Sequence, residues 1–280
     1  MRIQLEKDIT VMLNFKTRPR GTTTCRCARL RSILSGLLVA MLLAAPLARA
    51  QNVARPPVGG VSSPQGAMIF YSGHGADGAC GPHCADWIAA EGEVEWDTFK
   101  RLFTFVDRLG GRKPPVVLDI WGAGSLNVAM SMGKIVRDRG LDTGAGITVV
   151  KDCIKTTDAA CFALKRSGKP LDATIDVSVV DCDIVCVLVL AGGVHRTLPT
   201  DARVVIGPTH IQNRLTPNVS DEAQKGLQVA FGEQYRNYLK QMGVSADIVD
   251  IMEQNSAANR KTRLSGADLQ RLGIVTSPGR

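Results

Sequence analysis

The residues Cys182-Asp183-Ile184-Val185-Cys186 lie between a β-branched stretch (Val177, Val179, Val180) and an apolar run that ends at Ala191. A strand that turns abruptly into a buried helix is a place to present a nucleophile. There the free N–H groups and the helix dipole favour developing negative charge. The attacking group would be a serine or threonine, and neither occurs between the two cysteines. Asp183 could serve as a general acid or base, but at this position it reads first as the cap of a helix beginning near Ile184. Ser125, after Trp121-Gly122-Ala123-Gly124, is likewise a possible nucleophile whose simpler role is an N-cap. His74, Cys80, His83 and Cys84 fall close enough together for a two-His, two-Cys zinc site. Their H-x5-C-x2-H-C spacing is not a standard one, and a Cys80–Cys84 disulfide is the expected arrangement. Neither metal nor cofactor is expected. His195, just past Gly192-Gly193, reads as a solvated loop residue with no partner visible in sequence, and His210 closes the last apolar strand.

The elements that hold these residues follow a βα rhythm. Met68–Tyr71 predicts a first strand, and Trp87 and Ile88 belong to a compact stretch that docks on the core. Thr98 to Gly110 has helical spacing (Phe99, Leu102, Phe103, Val106, Leu109), with Asp97 or Thr98 as cap and Gly110-Gly111 as stop. Val116–Ile120 reads as a continuous apolar strand buried on both faces. The glycine-rich turn leads to a helix over Leu126–Arg139, capped by Ser125 or Asn127, and Ile147–Val150 is the next strand. Residues 151–176 break the rhythm and read as an insertion with a short helix from Asp158 to Arg166. Val177 to Val180 predicts a strand, and Val185–Ala191, too short to span a bilayer, a core helix. Asn218–Met242 predicts a long helix capped by Ser220, with a seam of Leu227, Phe231, Tyr235, Tyr238 and Met242. Ser245–Gln254 and Ser265–Leu272 predict shorter ones. Strands alternating with helices imply a mostly parallel sheet with flanking helices.

The first fifty residues read as an address. Arg26, Arg29 and Arg31 precede the apolar run Ile33–Leu47, which ends in Ala48-Arg49-Ala50, so cleavage is expected after Ala50. Met12 competes with Met1 as the start, and an uncleaved anchor at residues 33–47 is the alternative, the one expected route to a membrane. The formal charge of +8 is mostly the leader's. Nine of 34 basic and two of 26 acidic residues lie there, leaving 25 against 24. That balance gives no argument for nucleic acid. A flexible Pro/Gly/Ser-rich linker (51–66), one α/β domain (67–276) and a short tail (277–280) would complete the chain. Six cysteines remain after the leader: Cys80, Cys84, Cys153, Cys161, Cys182 and Cys186. In an exported chain, periplasmic or secreted, their clustering predicts three local disulfides. A bridge from the 153–161 segment to the 182–186 bend is the rival.

Three separated stretches coincide in order and spacing: VVLDIWGAGSLNVAMSMGKIVRDRG, CDIVCVLVLAGGVHR followed by ARVVIGPTH, and YRNYLKQMGVSADIVDIMEQNSAANRKTRLSGADLQRLGIV. Together they resemble exported bacterial members of the ClpP/crotonase-like superfamily, over roughly Met68 to Val275. The resemblance implies an α/β fold of repeated βαβ units. In ClpP-like serine peptidases a glycine-rich turn helps form the oxyanion hole, a serine at the start of a later helix attacks, and a histidine after the next strand is the base. The resemblance puts the turn at Ala123, Gly124 and Ser125, the nucleophile's place at Ile184, and the base at His210. The turn and the Gly207-Pro208-Thr209-His210 strand end each run one residue longer than the family pattern, and Ile184 stands where exported relatives carry serine in C-x-S-A-C. Isoleucine cannot attack a carbonyl. The resemblance therefore implies a catalytically degenerate envelope protein that binds or assembles, with an unidentified protein or peptide partner and a possible homo-oligomeric state. The alternative is a divergent hydrolase or crotonase-type acid/base enzyme using Asp183 and His210.

Overall fold

The structure is a computed structural model that describes residues 66–209 and 220–277. In chain order it comprises β1 (Ile69–His74), β2 (Asp86–Gly92), α1 (Thr98–Arg108), β3 (Val116–Ile120), α2 (Leu126–Asp138), β4 (Thr143–Ala145) and β5 (Ile147–Val150). After a single 3-10 turn (Lys151–Cys153) come α3 (Asp158–Lys165), β6 (Leu171–Asp176), β7 (Asp181–Asp183), α4 (Ile184–Leu190), β8 (Arg196–Thr197) and β9 (Arg203–Ile206). The chain closes with α5 (Asp221–Gln241), α6 (Asp247–Ala258), β10 (Thr262–Arg263) and α7 (Gly266–Arg271). The main sheet has the order β5-β6-β1-β2-β3-β4-β8, and β10-β9-β7 form a second, smaller sheet. In the main sheet β1–β2 and β5–β6 pair antiparallel, while β6–β1, β2–β3, β3–β4 and β4–β8 pair parallel. The protein is thus mixed α/β with a mostly parallel central sheet and flanking helices.

Alternation along the strands sorts the core into two layers. Ile88, Ala90, Val116, Leu118 and Ile120 join α1, α2 and α4 on one face; Tyr71, Trp87, Ala89 and Val117 pack on the other. All seven residues of α4 are buried, because α4 has a neighbour on every side and α2 lies closest. Two glycines permit that approach: a Cβ on Gly192 would overlap the Gly133 backbone, and one on Gly133 would meet the Leu188 carbonyl at 2.8 Å and the Tyr238 hydroxyl. Arg137 then donates to the carbonyls of Ala191, Gly192, Gly193 and Met242 at 2.8–3.1 Å, a cation on the negative ends of α4 and α5. Tyr238 adds a 2.6 Å bond to the Leu188 carbonyl.

Several expectations need correction. Val177 to Val180 is not a strand: the Asp176 carboxylate accepts from the Ser178 amide at 2.9 Å, turning the chain outward and leaving Val177 and Val179 exposed. The strand that feeds α4 is β7 instead. Residues 151–176 are not wholly an insertion, since β6 pairs with both β1 and β5. The Trp87 stretch is a full strand, β2. The apolar reading of β3 passes over Asp119, which sits among its buried residues. Along α5 the expected seam is seated toward its end, where Tyr238 and Met242 are buried and Tyr235 packs against the core, while Leu227 and Phe231 are only half-buried. The leader, residues 51–65 of the linker and residues 278–280 of the tail fall outside the described residues, as does His210.

Candidate functional site

The corner where a nucleophile would stand is built by β7, α4 and the turn after β3. Cys182 and Cys186 are joined by a disulfide across the first turn of α4. Asp183 is the N-cap: its backbone is extended and its carboxylate accepts from the Cys186 amide at 3.1 Å. Burial pushes the Asp183 carboxyl above the usual carboxylate range, against the backbone N–H groups of Cys186 and Val185 that favour its charged form. Ile184 is only 6% exposed and belongs to the main core. The next residue, Val185, covers the glycine turn: a Cβ on Gly124 would meet Val185 Cγ1 and Val94 Cβ at 2.9 Å each. Gly122 holds φ +79°, a left-handed conformation, with the Glu93 side chain against it. The Ser125 amide donates to the Val94 carbonyl at 2.9 Å. Ser125 occupies the N-cap position of α2, yet its hydroxyl makes no capping bond, contrary to the sequence reading; it is exposed, as is Ala123. This corner therefore holds a dry aliphatic plug, a capping carboxylate and an amide already in use.

The six cysteines among the described residues pair locally: Cys80–Cys84, Cys153–Cys161 and Cys182–Cys186. With Cys80 and Cys84 bonded to each other, the four-ligand zinc reading fails, and His74 instead bonds Asp86 through Nδ1 at 2.7 Å. Among the described residues no group of three or more His, Cys, Asp or Glu could hold a metal ion. His195 does have a partner that sequence could not show. Its ring Nδ1 and its backbone N–H both meet Asp142 Oδ1, at 2.9 and 3.0 Å. Both pairs are exposed, and the second ties the segment after α4 to β4.

A cluster that the sequence reading passed over lies on the opposite face of the sheet. Glu91 and Asp119 stand side by side in the β2–β3 register. Tyr71 Oη donates to Glu91 Oε2 at 2.7 Å, and Lys165 Nζ, from α3, reaches the same oxygen at 2.5 Å. Burial, reinforced by the neighbouring Glu91 and opposed by Lys165, holds the Asp119 carboxyl up at about 6. Burial also raises Tyr71, with Glu91 adding to it. The signal was present as one acidic residue inside VVLDI, but its partners come from 28 positions upstream and 46 downstream, beyond any local pattern.

No family model and no curated protein matches the chain. Among solved structures it is similar to a peptidase from Plasmodium falciparum (7% identity, 67% of this chain and 93% of that one, TM-score 0.39). It is also similar to a mutant of ClpP1 from Listeria monocytogenes (11% identity, 66% of this chain and 87% of that one, TM-score 0.39). These similarities concern fold alone and say nothing about the chemistry of this chain.

Proposed function

We propose that this is an exported ClpP/crotonase-like scaffold that has lost acyl-transfer catalysis and acts by binding or assembly in the cell envelope. The observation that carries the reading is Ile184, packed into the core at the start of α4. Acyl transfer needs an attacking group with a base beside it and free donors aimed at the oxyanion. Next to Ile184 the Asp183 carboxylate is spent as a helix cap, and the Ser125 amide is bonded to Val94. In the sequence His210 stands where the family carries its base, with isoleucine at the nucleophile's position. Three disulfides suit an oxidising compartment, and the leader ending at Ala50 supplies the route, by cleavage or, in the alternative, as an anchor over residues 33–47. Among the described residues no helix is long and apolar enough to cross a membrane.

The test is hydrolysis of a peptide library and of short-chain p-nitrophenyl esters by the purified chain beside a His210→Ala variant. Equal, background rates for the two proteins are expected. Turnover that His210→Ala abolishes would restore the hydrolase reading, in which Asp183 and His210 work together.

A further inference from the structure

Outside this corner, the cleft between α1 and the start of β1 combines an aromatic wall with basic side chains. Its volume is about 530 Å³, within the size range of small-molecule sites. Phe70, Trp96 and Phe105 give it an apolar wall, with Phe70 and Phe105 in ring contact at 6.3 Å and Trp96 53% exposed. Lys100, Arg101, Arg108 and Arg166 supply positive charge to the same space, against one carboxylate in its lining, Asp97, which pairs with Arg101 at 3.1 Å.

Arg101 is the centre of the case. Its Nη2 donates to Asp97 Oδ1 and Thr98 Oγ1, both at 3.1 Å. Nε and Nη1 are buried and have no hydrogen-bond partner among the described residues. Those two nitrogens carry almost no accessible surface, so an anion reaches them only if the Arg101 side chain, 21% exposed, shifts toward the cleft and relieves their desolvation cost. Burial lowers the Arg101 pKa, and the nearby Arg166 guanidinium lowers it further, although Asp97 and Glu95 oppose both. Arg166 is exposed, with its guanidinium 5.4 Å from the Phe162 ring centroid, but its backbone is anchored. It is the C-cap of α3, which the Cys153–Cys161 disulfide staples to the preceding 3-10 turn and the Lys165–Glu91 ion pair pins to the sheet. Two arginines thus line one cleft, with an exposed tryptophan beside them.

We infer that this cleft binds an anionic amphiphile, a carboxylate or phosphate headgroup on an apolar stem. The headgroup sits between Arg101 and Arg166, and the stem lies along Trp96, Phe70 and Phe105. Guanidinium forks fit planar carboxylate and phosphate oxygens bidentately, and the aromatic wall accounts for the stem. The inference is independent of whether the α4 corner is catalytic.

The test is calorimetric titration of the full, disulfide-bonded chain with decyl phosphate and with decanoate below their micellar concentrations. Decyltrimethylammonium and inorganic phosphate serve as controls. One saturable site for the anionic amphiphiles is expected, with weaker binding of inorganic phosphate and none of the cationic control. Binding should perturb a tryptophan fluorescence signal that is absent in Trp96→Phe. Arg101→Gln and Arg166→Gln should each weaken it by about tenfold or more, while Arg203→Gln, which removes a cation paired with Asp181 elsewhere, leaves it unchanged. Should Arg101→Gln loosen α1, as a melting curve would reveal, Arg166→Gln at the exposed helix end decides alone. Phosphatidylglycerol vesicles that sediment the protein and release it to decyl phosphate would identify the ligand as a bilayer lipid. Failure to sediment, with binding retained, would identify a free amphiphile. Equal binding of the cationic control, an unchanged affinity in Arg166→Gln, or no saturable binding of either anionic probe would overturn the inference.

Discussion

Replacing Asp119 by Asn should make the protein more stable at neutral pH, although it removes a carboxylate that Lys165 attracts. In the folded chain the carboxyl is held near 6, against an ordinary value of 3.8. The first cause is burial and the second is Glu91, one strand away in register; Lys165 offsets part of this. A carboxyl whose folded value is raised binds its proton more tightly in the native state. Stability is then fullest below the unfolded value, falls as pH rises through the window from about 3.8 to about 6, and levels off above it. That gap corresponds to about 3 kcal/mol if taken at face value. Partial solvent access at Asp119 and the lost attraction to Lys165 reduce the expected gain toward about 1–2 kcal/mol. Asn keeps the shape and can donate to Glu91. Urea unfolding of the oxidised protein from about pH 4 to about pH 8 measures this. The variant should exceed wild type above pH 6, and the two curves should converge near pH 4. A variant less stable than wild type at pH 7, or a difference that does not vary with pH, would refute the reasoning.

Other consequences can be measured on the same material. Gly192→Ala should destabilise by about 2–3 kcal/mol or more, since its methyl would overlap the Gly133 backbone, which cannot step aside as a flexible side chain could; the urea midpoint reports it. Asp183→Ala should cost about 1 kcal/mol through loss of the cap on α4. Asp183→Asn should recover most of that, because an amide oxygen still accepts from Cys186. An Asn variant as damaged as the Ala variant would mean the charge matters beyond capping. Arg137→Met should lower stability by about 2–4 kcal/mol, as four carbonyls at the ends of α4 and α5 lose a charged donor.

What the sequence made legible was whatever short-range pattern controls. Ser220 and Ser265 cap their helices because a hydroxyl reaches the backbone N–H of N3 regardless of tertiary context. The local disulfides follow from cysteines four and eight residues apart. The apolar run 185–191, too short to span a bilayer, read as a core helix, and α4 occupies Ile184–Leu190. Val177 to Val180 misled because β-branched residues favour extension wherever they stand, and one aspartate turned the chain before propensity could act. The α5 seam was overread for a related reason: periodicity announces an apolar face but not how much of it finds a partner, and the partner stops near Tyr235. Of the candidate site, Asp183 and Ile184 lay in one bend and could be read directly. The plug of Val185 on Gly124 and the bond from Ser125 to Val94 join segments far apart in the chain. So do the Asp119 cluster and the Arg101–Arg166 cleft, and only the fold brings them together.

Labelling with a fluorophosphonate probe tests most directly whether the chain carries an activated nucleophile. Intact-mass spectrometry after exhaustive treatment of the folded, oxidised chain should show unmodified protein, with Ser125 no more reactive than any surface serine. A stoichiometric adduct on one serine, lost on unfolding, would mean that a working attacking group exists and that the account of this site is mistaken.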